Sequence, residues 1–269
     1  MTRNLPTGNF RWVEPQNFKL ENTNESDDVG YFLEVDLEVP EELHDKFKYY
    51  PPAPETMVVT DDMLSPYCKQ LAEELNLKTG GATKLIQSLL PKEKYVIHYV
   101  ALKRYLQLGM KLTKIHRIIS FNQDNFMASY IMMNTKLRSL ATNDFEKDFL
   151  KLMNNALFGK TIENLRNRAL INLVIDEDKL LKLIAKPSYV RTKILDEGLV
   201  AVERKKVNLV LNKPQYIGVT VLDLSKELMY NFYYNVLYKK YGDGLKLLFT
   251  DTGMLSDTRI YFLQICTFE

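Results

Sequence analysis

One stretch of the sequence carries side chains that could bind a phosphorylated ligand. Residues 143–168, "NDFEKDFLKLMNNALFGKTIENLRNR", have cations, an amide and a glycine at every fourth position: Lys147, Lys151, Asn155 and Gly159. Residues at this spacing share one face of an α-helix. A lysine offers a point charge to a phosphate, and a glycine lets a flat ligand approach the backbone. From the residues alone, the competing interpretation is a solvated helix face. In that case the helix dipole favours the cations Arg166 and Arg168 at the C-terminal end.

A second candidate is a turn near the end of the sequence. Residues 245–265, "LKLLFTDTGMLSDTRIYFLQI", lead an apolar strand into Asp251, followed by Gly253 and a second apolar strand. A carboxylate at such a turn can bind a divalent metal, but two-metal nucleotidyl chemistry needs at least two acidic side chains close together. Asp-Thr-Gly is also a good turn sequence in its own right. By itself, Asp251 therefore predicts a turn.

The histidines and cysteines indicate no further site. His98 alternates with apolar residues in a predicted strand, and His116 lies between two basic residues, so we interpret both as packing or surface residues. Cys68 and Cys266 are far apart and form no zinc-binding cluster. The sequence contains no nucleophile elbow, Walker-type loop or dinucleotide fingerprint.

Composition narrows the class of protein. The chain has 269 residues, of which 46% are hydrophobic, which is enough for a sizeable core. Its 36 basic and 34 acidic residues leave a net charge of +2, so binding to nucleic acid would need a local basic face. No segment approaches the roughly 18 apolar residues of a membrane span. The first residues lack a signal-peptide pattern, and we expect an intracellular protein that is not secreted and has no membrane partner.

Helical and strand patterns alternate without regular βαβ units, which predicts an α+β fold. Residues 29–40 predict a strand, and residues 93–121 predict a strand, a helix ended by Gly109 and another strand. Asn143 and Glu146 form a capping-box-like start for the next helix. The other expectations are an irregular stretch at 1–20, short helices within 57–90, short strands with basic loops at 169–215, and a strand at 216–224 before a helix capped by Ser225.

Together, the helix and the turn resemble two motifs of family B DNA polymerases. "KLMNNALFGK" is similar to motif B, whose pattern is K-x-x-x-N-S-x-Y-G, and "KLLFTDTGML" is similar to motif C, in which Asp-Thr-Asp lies between two strands. "GYFLEVDLEVPEELHD", "MLSPY", "LGMKLTKIHRIISF" and "NDFEKDF" resemble the protein-primed branch, above all the polymerases of Polinton or Maverick-type transposons and related viruses. The likeness runs from about residue 5 to about residue 255.

The resemblance implies an α+β DNA polymerase palm remnant with a fingers helix and two inserted subdomains. In this branch the insertions serve the terminal priming protein and strand displacement. The implied segments are a palm-associated segment at 1–56, an insertion resembling the first terminal-protein region at 57–140, the fingers helix with motif B at 141–168, a second insertion at 169–215, and the palm with the motif C hairpin but no thumb at 216–269.

The resemblance also implies roles for individual residues. Lys151 would contact the phosphates of the incoming dNTP, while Asn155, Phe158 and Gly159 would face the nascent base pair. Asp251 would be a catalytic carboxylate that ligates Mg²⁺. The implied contacts to the DNA template and primer are Lys147, Arg166, Arg168, Arg204, Lys205 and Lys206.

Three departures from the family lead us to expect impaired catalysis. Gly253 replaces the second aspartate of motif C. Motif A is expected to be missing, because in the family it lies just before the segment that matches "LPTGNFRWVEP". The thumb and the proofreading exonuclease are expected to be missing too. Losing metal ligands leaves the repulsion between the metal ions uncompensated.

The expected function is therefore template-directed nucleotidyl transfer in DNA replication by lineage, impaired in this chain. The expected location is the nucleus or the site where a mobile element replicates. Two alternatives stay open. One is a non-catalytic nucleic-acid-binding remnant of a mobile-element polymerase, and the other is a decayed or truncated gene product.

Overall fold

The computed structural model describes residues 1–245 and 247, and its mixture of helices and sheets confirms the α+β class. The strands are β1 Leu5–Val13, β2 Val29–Glu38, β3 Glu55–Val58, β4 Thr83–Ile86, β5 Lys92–His98, β6 Lys111–Asp124, β7 Ala169–Val174, β8 Tyr189–Asp196 and β9 Leu199–Lys205. The helices are α1 His44–Phe47, α2 Pro66–Glu74, α3 Tyr99–Leu108, α4 Ala128–Leu140, α5 Asp144–Thr161, α6 Glu177–Ile184, α7 Gln215–Asn231 and α8 Lys239–Tyr241, with a π-helical segment at Phe232–Tyr238.

The chain divides into two compact units, residues 1–154 with 220–269, and residues 155–219. The first unit contains an antiparallel sheet in the order β1-β6-β2-β5 and a separate pair, β3 with β4. The larger sheet joins strands from both sides of the division expected at residues 56 and 57. The expected boundary between the palm-associated segment at 1–56 and the insertion at 57–140 therefore stays a prediction.

Tyrosines form much of the core of the first unit. The Tyr50 and Tyr230 rings lie 4.5 Å apart, and Tyr105 meets Tyr230 edge-on at 5.5 Å. Their polar ends reach backbone carbonyls: the Tyr230 hydroxyl donates to Pro51 O at 3.0 Å, and the Tyr234 hydroxyl donates to Tyr50 O at 2.6 Å. Burial raises the pKa of Tyr50 to about 12. Packing explains these tyrosines, and the Tyr230 and Tyr234 phenols have the hydrogen-bond partners that buried phenols need.

Two buried carboxylates anchor α7 in the first unit. Glu227 lies between Arg3 and Arg104, at 2.8 Å from each guanidinium. One turn earlier, Asp223 Oδ2 accepts the backbone N–H of His98 at 2.9 Å. Burial raises the pKa of Asp223. Buried charges are tolerated only when they are paired, so these contacts fix the position of α7.

The second unit is built on an antiparallel sheet in the order β7-β9-β8. Its core is Val174, Leu183 and Val202, of which α6 contributes Leu183. Asp176 caps α6 by accepting the Lys179 N–H at 2.7 Å. The short strands expected at 169–215 are therefore confirmed, with α6 as an addition that the sequence analysis did not anticipate.

Several other local predictions are also confirmed. The strand at 29–40 is β2, and residues 93–121 form β5, α3 and β6 in the expected order. Gly109 ends α3 with a φ of +111°, a conformation that glycine adopts without a Cβ penalty. Ser65 begins the predicted helix α2 by accepting the Cys68 N–H at 3.1 Å.

The prediction of an irregular stretch at residues 1–20 is wrong, because Leu5–Val13 form β1. Pro6 and Gly8 had suggested a break in the structure. They are tolerated because, among the described strands, β1 lies at the edge of its sheet and pairs only with β6, and its register shifts on either side of Gly8. Proline is found in sheets at edges and bulges, where its missing N–H costs no ladder hydrogen bond.

The prediction of a strand at 216–224 is also wrong, because these residues open α7. Their apolar run fits a buried strand or a buried helix equally well. Burial recurs at helical spacing instead, at Ile217, Thr220, Leu224 and Glu227. Ser225 consequently lies inside α7 and does not cap it.

Candidate nucleic-acid interface

The helix α5 forms where the sequence predicted it, but it ends earlier than expected. Asn143 Oδ1 accepts the Glu146 N–H at 2.9 Å, which confirms the predicted cap. The helix stops at Thr161, whose hydroxyl donates to Phe158 O at 2.8 Å. Arg166 and Arg168 therefore lie beyond the helix, at a short 3₁₀ turn that the Asn164 side chain caps. The interpretation of these arginines as the cationic end of α5 is wrong.

The predicted nucleotide-binding residues and one predicted DNA contact lie on α5: Lys147, Lys151, Asn155, Phe158 and Gly159. Lys147 Nζ is 3.3 Å from Asp144 Oδ1, an exposed pair of the kind that contributes little energy. Lys147 can therefore exchange this partner for a phosphate at small cost. Lys151, Asn155 and Phe158 are half-buried, and Gly159 is exposed.

Gly159 lies in the last turn of α5, and no contact among the described residues explains its missing side chain. A Cβ built at Gly159 meets no atom of the described residues within 4 Å. Glycine inside a helix costs roughly 0.5–1 kcal/mol relative to alanine. The missing side chain therefore lowers stability without improving the packing of the described residues. A ligand that approaches the backbone of α5 would account for it.

The neighbouring Asn154 has a different environment, which the sequence did not reveal. Its Oδ1 accepts the Nδ2 of Asn134 from α4 at 2.9 Å, and both side chains are buried. This hydrogen bond joins the two helices and gives each buried amide a partner. Of the two adjacent asparagines in "MNNA", Asn154 is therefore explained by this internal bond.

In the second unit, three cations converge on the carboxylate of Glu163. Arg168 donates two hydrogen bonds of 2.8 Å to it, from Nε to Oε1 and from Nη2 to Oε2. Lys160 Nζ and Lys213 Nζ lie 3.4 and 3.5 Å from Oε2. The hydrogen bond from Arg168 is the main cause that lowers the pKa of Glu163 to about 2. Three cations around one carboxylate leave an excess of two positive charges.

Arg168 also borders a polar cleft of about 120 Å³. Lys206 lies on the same cleft, and the remaining lining residues are Leu165, Leu209, Val210 and Asn212. The structure thus brings together two of the sequence-predicted DNA contacts, Arg168 and Lys206. It adds Lys160 and Lys213 through Glu163. Sequence reasoning missed Lys213 because nothing local marks it, whereas Lys160 is the last residue of "KLMNNALFGK".

The other predicted DNA contacts lie elsewhere in the second unit. Arg204 donates through Nε and Nη2 to Asn172 Oδ1 at 3.2 and 2.9 Å, which ties β9 to β7. Lys205 ends β9 and is exposed. Arg166 is also exposed, and its side chain has no ion pair among the residues that the structure describes. These three residues therefore are not part of the cleft.

The predicted metal turn lies outside the described residues, and so do Asp251 and Gly253. Within residues 1–245 and 247, no group of three or more His, Cys, Asp or Glu side chains is arranged to hold a metal ion. In the sequence, the segment that resembles motif C offers one carboxylate where the family pattern has two. That donor set does not fit a two-metal site by itself.

The histidines are explained by internal contacts. His98 is buried against the rings of Phe32 and Tyr99, which confirms its interpretation as a packing residue. His116 Nε2 lies 2.7 Å from Asp36 Oδ1, a carboxylate partner on another strand that sequence spacing could not show.

Among the described residues, no helix is long and apolar enough to cross a bilayer.

Comparison with known proteins identifies the family. The sequence profile of DNA polymerase type B, organellar and viral, matches residues 1–235, and the chain belongs to this family. No curated protein matches the sequence significantly.

Three solved structures of Phi29 DNA polymerase are similar, each 13% identical over 86% of this chain. They are a post-translocation binary complex with primer-template DNA, a ternary complex with primer-template DNA and incoming nucleotides, and an orthorhombic crystal form, with TM-scores of 0.45, 0.45 and 0.44. The chain spans about a third of their length, covering 33%, 32% and 34% of them.

Proposed function

We propose that this chain forms the nucleotide-binding and DNA-binding part of a protein-primed type B DNA polymerase. Its role would be template-directed nucleotidyl transfer in DNA replication, on a DNA template and primer with dNTP substrates. A terminal priming protein would be a further partner. Family membership supports the polymerase class. The observation that carries the proposal is Gly159, a destabilising helix glycine that no described internal contact requires.

The proposal assigns separate tasks along α5. Lys147 and Lys151 would supply positive charge to phosphates, and a lysine is suited to this because its ammonium is a compact point charge with rotatable donors. Asn155 would offer an amide to the nascent base pair. Gly159 would leave the backbone open to a flat base, with the half-buried Phe158 as the adjacent apolar surface.

Catalysis by this chain is proposed to be impaired. Mg²⁺, when bound, would stabilise charge on the transferring phosphate, and Asp251 would be its ligand. Gly253 cannot supply the second carboxylate, so these residues do not form a complete two-metal site. Binding of DNA and nucleotide needs only the cations, the amide and the open backbone of α5.

The direct test is binding of a labelled primer-template DNA and of a dNTP to the full chain, measured by fluorescence anisotropy and calorimetry. Lys151→Ala and Asn155→Ala should each weaken binding by roughly five- to tenfold, as expected for losing a contact worth about 1–1.4 kcal/mol. Lys69→Ala removes the same charge as Lys151→Ala from an exposed position on α2 and is the matched control. Equal affinities for all of these variants would contradict the proposal.

A second candidate function is nucleic-acid binding without any nucleotidyl transfer. The observation that favours it is Gly253, which stands where motif C has its second aspartate. Primer extension with Mg²⁺ separates the two candidates. Extension that Asp251→Asn abolishes supports the polymerase, whereas tight DNA binding without extension, unchanged by Gly253→Asp, supports the binding protein.

A further inference from the structure

The cations of the second unit are gathered by a residue that carries the opposite charge. Glu163 receives the Arg168 guanidinium at 2.8 Å on both oxygens and two lysine ammonium groups at 3.4 and 3.5 Å. A bidentate guanidinium pair has a fixed geometry. The longer lysine contacts leave most ammonium donors directed away from the carboxylate. Glu163 thus fixes the position of the cations without neutralising all of them.

The excess charge borders a cleft that can hold an anionic group. Arg168 and Lys206 line this cleft, and among the described residues Lys206 has no ion-pair partner. Its volume of about 120 Å³ suits a phosphate group with part of the attached sugar. Asn212 adds an amide, and the buried Leu165 adds an apolar surface. Cations with an amide donor beside apolar carbons fit a phosphate ester better than a free inorganic ion.

We infer that Glu163 is a positioning residue that assembles Lys160, Arg168 and Lys213, together with Lys206 on the adjoining cleft, into a binding site for a nucleic-acid or nucleotide phosphate. This inference rests on the proposed function, because it names where in residues 155–219 a phosphate of that ligand binds. The site is separate from the row on α5, since it uses residues at and beyond the end of that helix.

The test follows from the sign of the charge change. Glu163→Gln removes a negative charge beside the ligand, so electrostatics alone predicts tighter binding of DNA. Loss of positioning predicts weaker binding, by roughly five- to tenfold, because the guanidinium fork loses its ionic anchor. Asp178→Asn, at an exposed position on α6 in the same unit, removes the same charge without touching the cluster. We expect this control to bind DNA as tightly as the wild type or slightly more tightly.

The probes are a short single-stranded DNA oligonucleotide and a dNTP, each titrated against the full chain at several salt concentrations. Lys206→Ala and Lys213→Ala should each make the negative slope of log K against log salt shallower by about 0.7, the value for one fewer phosphate contact on a single strand. They also keep the inference testable if Glu163→Gln lowers the amount of folded protein. A loss with DNA alone identifies a backbone phosphate, and a loss with dNTP identifies a nucleotide phosphate.

Two failures are distinguishable. If the wild type binds DNA, Lys151→Ala weakens that binding, and Glu163→Gln binds as tightly as Asp178→Asn, then the positioning role is overturned while the proposed function stands. If the wild type binds neither DNA nor dNTP, both the proposed function and the phosphate site are overturned.

Discussion

Two helical glycines of the second unit show opposite reasons for lacking a side chain. A Cβ at Gly218, near the start of α7, would lie 1.9 Å from Ile162 Cγ2 and 2.9 Å from Thr161 Oγ1. A Cβ at Gly159 would meet nothing in the described residues within 4 Å. Internal packing therefore requires Gly218 and does not require Gly159. The difference separates residues that the fold explains from residues that need an external partner.

The largest effect on stability is expected at Gly218, the glycine whose surroundings leave no room for a side chain. Gly218→Ala should destabilise the protein by about 1–3 kcal/mol, because overpacking forces neighbouring atoms to move. Adding Ile162→Ala removes the Cγ2 atom in the way, so the double variant should regain part of the loss. Urea denaturation measures both variants. A fully stable Gly218→Ala protein would show that packing does not explain this glycine.

An effect of similar size is expected from the internal amide pair between α4 and α5. Asn154→Ala should cost about 1–3 kcal/mol, because the amide of Asn134 is left buried without its partner. Asn134→Ala combined with Asn154→Ala should cost less than the sum of the single changes, which a double-mutant cycle in urea would reveal. Additive losses would mean that the two side chains are independent, and Asn154 would then need a different explanation.

A smaller effect is expected from His98, whose two ring nitrogens are buried and have no hydrogen-bond partner among the residues that the structure describes. Burial lowers the pKa of His98 to about 3. The unfolded chain binds a proton near pH 6.5 and the folded chain does not, so stability should fall as the pH decreases from about 6.5 towards 3. This term amounts to about 1.4 kcal/mol between pH 7.5 and 5.5. It should be absent in His98→Phe, and an equal pH dependence in both proteins would exclude His98 as its source.

The comparison also shows how much the sequence could predict. Elements with local signals were predicted: Gly109 ends α3 and Asn143 caps α5. Residues 1–20 and 216–224 were assigned wrongly because the answer depended on distant partners. Pro6 is tolerated only because β1 is an edge strand, and the apolar start of α7 has no local feature that separates helix from strand.

The same limit applies to the candidate site. The row on α5 has a regular spacing, so its members could be predicted from the sequence. The cluster around Glu163 joins Lys160 and Arg168 to Lys213, which lies far along the chain, and no sequence pattern connects them. Spacing also could not show that Arg168 and Lys206 line one cleft, whereas Arg204 donates a hydrogen bond to Asn172.

The most direct test of the account is Gly159→Ala, measured for both stability and binding. The variant should be more stable in urea by roughly 0.5–1 kcal/mol, because alanine is the better helix former and its methyl group meets open space. It should bind primer-template DNA and dNTP more weakly, and Gly159→Leu should weaken binding further as the side chain grows. A more stable Gly159→Ala protein that binds both ligands as tightly as the wild type would contradict the central claim that this face of α5 is open for a ligand.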